Sequence, residues 1–158
     1  MRGAGSEERL FYIKLPVKDD ILKFVEIDRH CHAAPWDENA FNVELSKFRC
    51  GKSLFFTAKK EADDEILGYA SADMIVDYAH ILNITVKEEY RRKGIAKALL
   101  EKIETGAKKA DLSSATLEVN ENNAPAIEMY KKGGYIVKGK RPLFYENKYT
   151  ALIMWKVL

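Results

Sequence analysis

The chain has 158 residues, 47% hydrophobic and 32% charged, with a formal net charge of +2. That length and apolar share suit one domain over 1–158 with one core and exclude wholesale disorder, and so small a net charge excludes whole-protein attraction to nucleic acid or anionic lipid. No apolar run reaches the ~18 residues needed to cross a bilayer, and residues 1–9, expected as a flexible segment, carry charge with no apolar stretch after it, so a cytoplasmic location is expected.

Leu10–Leu15 mixes aromatic and β-branched residues and ends at Pro16, which reads as an opening strand. Asp19 or Asp20 is placed to cap a helix with Ile21, Leu22 and Val25 on its inner face. Ala33-Ala34-Pro35-Trp36 breaks it. Asp37 then caps a second helix, in which Phe41, Leu45 and Phe48 recur at helical spacing until Gly51. Three strands follow, at Ser53–Lys60, Ile66–Val76 and Ala79–Val86, the first two joined by a polar turn as an antiparallel hairpin. After Gly94 the period becomes helical, with Ile95, Ala98, Leu99 and Ile103 on one face. Leu112–Val119 returns to strand. Asn122-Asn123-Ala124-Pro125 starts a last helix and Gly133-Gly134 ends it. Tyr135–Lys138 and Ala151–Val157 close the chain as strands around a loop over Gly139–Thr150. The expected architecture is α/β with a mixed sheet.

The strongest local signal joins the strand Ile84-Thr85-Val86 to Arg91-Arg92-Lys93-Gly94-Ile95-Ala96. The first N–H groups of a helix lack internal partners, and the helix dipole adds positive potential there. Gly94 and Ala96 remove side chains that would keep a diphosphate from those amides, while Arg91, Arg92, Lys93 and Lys97 surround it with charge. Other phosphate signatures fail: G-x-G-x-x-G is absent, and Gly51-Lys52-Ser53 lacks the leading glycine of a P-loop. His30-Cys31-His32 does not make a metal site, because neighbouring helical residues point about 100° apart. No metal is expected. Cys31 and Cys50 are too few for a disulfide framework and are expected as reduced thiols.

The strand–turn–helix element carrying R-x-x-G-x-A resembles the acetyl-CoA signature of the GNAT N-acetyltransferases. The likeness extends over nearly the whole chain through Ala34-Pro35-Trp36, Leu82–Val86, Arg91–Leu100, and Leu117-Glu118-Val119 followed by Asn123, Ala126-Ile127 and Tyr130. The last of these stretches is most similar to the protein N-terminal branch, the RimI-like and archaeal enzymes. The resemblance implies a GNAT fold, a mixed sheet of about seven strands flanked by four helices. It also implies acetyl-CoA as co-substrate, with Ile84, Thr85 and Val86 offering backbone groups to the pantetheine arm. Arg91, Arg92, Lys93, Gly94, Ile95, Ala96 and Lys97 are then expected at the pyrophosphate and Asn123 beyond the next strand. Glu118 is implied as general base and Tyr130 as general acid. The acceptors implied are protein or peptide N-termini, a ribosomal protein among them, with no nucleic acid and no membrane as partner.

On the residues alone, Glu118 faces away from Leu117 and Val119, where a solvated carboxylate is the commonest outcome, and Tyr130 shares a helix face with Ile127. Phe144-Tyr145-Glu146-Asn147 resembles the aromatic loop that clasps the acceptor in this branch. It departs by carrying Phe144 in place of one tyrosine, and Tyr149-Thr150 where acidic residues are usual. Tyr145 is the expected acceptor contact, and Trp36 is either its neighbour or a core anchor. Three other functions stay open: acetylation of lysine or small amines, a non-catalytic acyl-CoA-binding module, and, ranked last, nucleic-acid binding through the basic helix.

Overall fold

In the computed structural model residues 9–158 are described; the segment 1–9 expected to be flexible lies, but for its last residue, outside the described residues. The chain runs β1 (Phe11–Lys14), α1 (Ile21–Cys31), α2 (Glu38–Arg49), β2 (Ser53–Lys60), β3 (Ile66–Ile75), β4 (Tyr78–Val86), α3 (Ile95–Lys109), β5 (Ser114–Asn120), α4 (Ala124–Lys132), β6 (Ile136–Tyr145) and β7 (Tyr149–Val157). The element order is the one read from the sequence. Seven strands form one mixed sheet in the order β1-β2-β3-β4-β5-β7-β6. Among the described residues only β4 and β5 pair in parallel, with α3 as their crossover.

Short polar side chains set the helix boundaries. Asp37 accepts from the Ala40 amide at 2.8 Å to start α2, and Asn123 accepts from the Ala126 amide at 3.3 Å to start α4. At α1 the structure corrects the expected cap: Asp20 sits at the cap position, but its carboxylate accepts from the Val17 amide at 3.0 Å and leaves the helix amides alone. A 3₁₀ turn over Lys18–Asp20 leads into the helix and draws the side chain back toward the preceding strand.

The largest departure is at the C-terminal hairpin. The stretch Gly139–Thr150, expected as a loop, continues β6 to Tyr145 and turns only at Glu146–Lys148. Pairing survives two register shifts, one of which places Pro142, Leu143 and Phe144 between the paired residues Arg141 and Tyr145. An edge strand tolerates proline and bulges because one side of its backbone has no partner to lose.

Two cores lie on opposite faces. Against α3 and α4 pack Leu67, Ile81, Leu117 and Met154 with Leu99, Ile103 and Tyr130. Against α1 and α2 pack Phe55 and Tyr69 with Phe24 and Phe41, the Phe24 and Tyr69 ring centroids 5.2 Å apart. Among the described residues no helix is long and apolar enough to cross a membrane.

Candidate active site

The parallel pairing of β4 with β5 begins at Tyr78 and Ser114 and stops at Ile81 and Leu117. Its end coincides with a bulge. On β3 the neighbours Ser71 and Ala72 face Asn83 and Ile81, so Leu82 is an extra residue in β4. Such an insertion bends the strand that carries it. Beyond Leu82, β4 stays with β3 while β5 stays with β7, and a gap opens between them.

The backbone lining that gap follows from the antiparallel register. Lys87 donates its amide to Leu67 O at 2.8 Å, so the pairs Leu67/Lys87 and Tyr69/Thr85 exchange hydrogen bonds and the pairs between them do not. Ile84 and Val86 therefore turn their amides away from β3, into the gap. Thr85, expected to share this role, has its backbone groups committed to Tyr69. Gly68 makes the close approach of the strands possible: a Cβ there would lie 2.4 Å from Thr85 O.

At the end of β4 the chain builds a cradle for an anion. The first bond of α3 runs from Ala98 N to Gly94 O at 3.0 Å, so the amides of Ile95, Ala96 and Lys97 have no helical acceptor. Arg92 and Gly94 are both left-handed, with φ of 60° and 83°, a backbone alternation that turns successive amides toward one concavity. The space above Gly94 is open, with nothing within 4 Å of where a Cβ would stand. Arg92, Lys93 and Lys97 are exposed around it. Arg91 instead folds back, its Nε donating to Val86 O at 3.1 Å, which ties the cradle to the end of the gap. Asn123 is occupied as the cap of α4. Unpaired strand amides leading into a basic cradle fit a long acyl carrier that ends in a diphosphate.

Where β4 and β5 part, four elements (β4, β5, β6 and α4) bring titratable groups together. Glu118 is the first residue of β5 beyond the last paired position, and strand alternation puts it on the same face as His80 of β4. His80 Nε2 donates to Glu118 Oε2 at 2.6 Å, which fixes the ring proton on that nitrogen. Arg141 Nη1 lies 3.5 Å from the other oxygen, Oε1. The Glu118 side chain is only 14% exposed, so it is not the solvated carboxylate that alternation alone suggested. Tyr130 comes from α4 on the opposite face of the sheet, where it packs with the α3 core and edge-on to Tyr135. Burial first and the neighbouring Tyr145 second push the Tyr130 phenol well above its ordinary value. Tyr145 is itself pushed up to about 12 by burial and by Glu118. Both phenols thus hold their protons throughout the neutral range.

Trp36 does not join this cluster: it packs edge-on against Phe41, in the core beneath α1 and α2. Its backbone is part of a second polar network that the sequence did not suggest. Buried Asp28 accepts from the Trp36 amide at 2.7 Å and from the Tyr69 hydroxyl, and His32 Nε2 lies 2.9 Å from Thr85 Oγ1. This network holds the α1–α2 connection against β4. His30, Cys31 and His32 each find a different partner: Glu26 O, Val86 O and Thr85. Among the described residues no cluster of three potential metal ligands occurs.

His80 and Arg141 are the site residues that sequence reading missed. Their convergence on Glu118 becomes visible only once strand pairing is known.

The Acetyltransferase (GNAT) family matches residues 21–135 of the chain. The N-terminal acetyltransferase B complex catalytic subunit NAA20 of Arabidopsis thaliana is 37% identical, over 89% of this chain and 81% of its own length. An N-alpha-acetyltransferase of Sulfurisphaera tokodaii is 31% identical, over 83% of this chain and 81% of its own. The crystal structure of the ribosomal-protein-S18-alanine N-acetyltransferase of Escherichia coli superposes with a TM-score of 0.82 at 26% identity, covering 93% of each chain.

Proposed function

The chain belongs to the GNAT acetyltransferase family, and on that premise we propose that it transfers an acetyl group from acetyl-CoA to the α-amine of protein N-termini. The observation that carries this reading is the Glu118–His80 pair at the point where β4 and β5 part, with the proton-holding phenol of Tyr145 near Glu118 and that of Tyr130 next to Tyr145. It is supported by relatives named for N-terminal acetylation. Bound acetyl-CoA supplies an activated thioester that a free amine attacks directly, with a thiolate leaving.

The chain's own residues have four tasks. The cradle at Arg92–Lys97 neutralises and fixes the diphosphate, drawing the acyl end along the free amides of Ile84 and Val86. Either amide is a donor suited to a carbonyl oxygen on which charge develops. Glu118 takes the proton of the α-ammonium, whose ordinary pKa of about 7.7–8.0 lets a carboxylate held by His80 serve as base, directly or through one water. Tyr130 keeps its proton at Oη and donates it toward the departing sulfur.

The acceptor loop departs from the pattern it resembles at two places, with Phe144 for a tyrosine and Tyr149-Thr150 for acids. The test is release of CoA thiol by the purified full chain with matched peptides, one set with free α-amines and one with a blocked terminus and a single lysine. Turnover confined to free termini is expected. Release only with the lysine peptides moves the activity to side-chain amines, and acetyl-CoA binding without acceptor-dependent release leaves the acyl-CoA module. The same panel, with peptides copied from a ribosomal protein and from unrelated N-termini, distinguishes one protein acceptor from many.

A further inference from the structure

Arg141 occupies a place that an acceptor ammonium would need. Glu118 has both oxygens engaged, Oε2 by His80 at 2.6 Å and Oε1 by the Arg141 guanidinium at 3.5 Å. The two partners differ in how firmly they are held. His80 is fixed in β4 beside the last paired residues, whereas the Arg141 side chain is 57% exposed and rests over the Phe144 ring at 5.7 Å. Arg141 is also the last paired residue of β6 before Pro142–Phe144 bow out of the ladder, which leaves its side chain at the rim of the gap.

Building on the N-terminal reading above, we propose that Arg141 is an exchangeable counter-ion of Glu118 and selects acceptors with a carboxylate at their second residue. When an α-ammonium reaches Glu118 it takes Oε1, and the guanidinium is released. A planar cation with five donors on a long side chain then stands at the rim, beside the point where the acceptor chain leaves the gap. Consecutive Cα atoms are only ~3.8 Å apart, so the second side chain passes this rim while the first amine is engaged. An aspartate or glutamate there pairs with the freed guanidinium and completes the exchange, two ion pairs replacing one. The surroundings favour the same charge: Lys138–Thr150 holds Lys138, Lys140, Arg141 and Lys148 against Glu146 alone. A basic second residue meets repulsion at the same place and leaves the displaced arginine without a partner.

The test uses the full chain, acetyl-CoA, and three peptides beginning Ala-Asp, Ala-Asn and Ala-Lys with one neutral tail. Expected is a kcat/KM about tenfold higher for Ala-Asp than for Ala-Asn, the scale of one charge-assisted pair, and lowest for Ala-Lys. Arg141→Gln should collapse the Asp-to-Asn ratio toward one, Arg141→Lys should keep part of it, and Arg141→Glu should reverse the order in favour of Ala-Lys. The wild-type ratio should shrink with added salt. Reversal is a readout that a merely structural role would not give. A wild type indifferent to the second residue, or a ratio unmoved by Arg141→Gln and Arg141→Glu, overturns the assignment while leaving N-terminal acetylation intact. Failure of every free-amine peptide, with lysine peptides turned over instead, overturns the N-terminal reading and this assignment together.

Discussion

Replacing Gly68 by alanine separates the two demands made on β4. An ideal Cβ at this position lies 2.4 Å from Thr85 O and 3.1 Å from Val86 Cα, against 3.4 Å for ordinary contact. The atoms met are backbone, so relief requires the end of β4 to move by about 1 Å, and overpacking of this kind costs typically ~1–3 kcal/mol. With no side chain able to yield, the upper half of that range is expected, which for a chain of this size lowers Tm by roughly 5–10 °C. The same movement displaces the amides of Ile84 and Val86. The rise in Tm on adding saturating acetyl-CoA should therefore be smaller in Gly68→Ala than in wild type. Gly106→Ala is the control. Its Cβ would stand 2.9 Å from Leu54 Cδ2, the far end of a flexible side chain, and α3 gains up to ~1 kcal/mol of helix propensity. Thermal unfolding with and without acetyl-CoA reads both variants. If Gly68→Ala matches wild type in Tm and in the ligand-induced rise, the register that turns Ile84 and Val86 into the gap is wrong.

Tyr130→Phe keeps the ring in its core and removes only the hydroxyl with its proton, so kcat should fall by at least the ~10²-fold ascribed to a general acid, with acetyl-CoA affinity retained; stopped turnover together with lost acetyl-CoA binding would mark a packing role instead. The raised phenols of Tyr130 and Tyr145 favour folding while neutral: that contribution is complete below the unfolded phenol value near ~10 and is lost as pH rises through the higher folded values. Tm should thus hold steady to about pH 10 and decline above it, less steeply in Tyr130→Phe, and a Tm independent of pH up to 11.5 would contradict the burial argument. Asp28→Ala leaves the Tyr69 hydroxyl and the Trp36 amide without their acceptor, at ~1–3 kcal/mol for each buried donor. Tm should drop, and the acceptor KM should rise more than the acetyl-CoA Kd, because the α1–α2 connection is released from the sheet face that also carries Glu118; the opposite order would sever that network from the acceptor side.

The elements that could be read in advance are those governed by local chemistry. Asp37 and Asn123 cap their helices, the left-handed Gly94 opens α3, and apolar periodicity gives α3 its buried face of Ile95, Leu99 and Ile103. What escaped depends on non-local pairing. His80 and Glu118 are 38 residues apart, and nothing in that separation brings them together; the parallel register of β4 with β5 does, by setting His80 opposite Thr116 on the face that Glu118 also occupies. Alternation along Tyr78–Ile81 already turned His80 away from the core, so the clue was its face, not its spacing. Arg141 was obscured for another reason. Lysines, a glycine and a proline spell loop in an isolated segment, but at a sheet edge they are compatible with a bulged strand. Asp28 escaped because a carboxylate on the inner face of α1 breaks the apolar pattern, and only Tyr69 and the α1–α2 turn explain its burial.

The gap on which Glu118 opens has one origin, the single extra residue in β4. Without Leu82 the strand would keep its pairing with β5 past Ile81, and Glu118 would face a neighbouring strand in place of a gap. With it, the two edges of β4 divide the work. The edge toward β3 is fastened by ladder bonds, by the close approach over Gly68, and by His32 on Thr85, so the strand has little freedom to drift. The other edge presents its amides to the gap and ends in the Arg92–Lys97 cradle, which Arg91 anchors to Val86 O. Binding groups on an open strand edge are exact in position only if the opposite edge is rigid. A buried aspartate and a glycine at which any Cβ would press on the Thr85 backbone, neither of which touches the gap, are therefore as much a part of the site's geometry as Glu118.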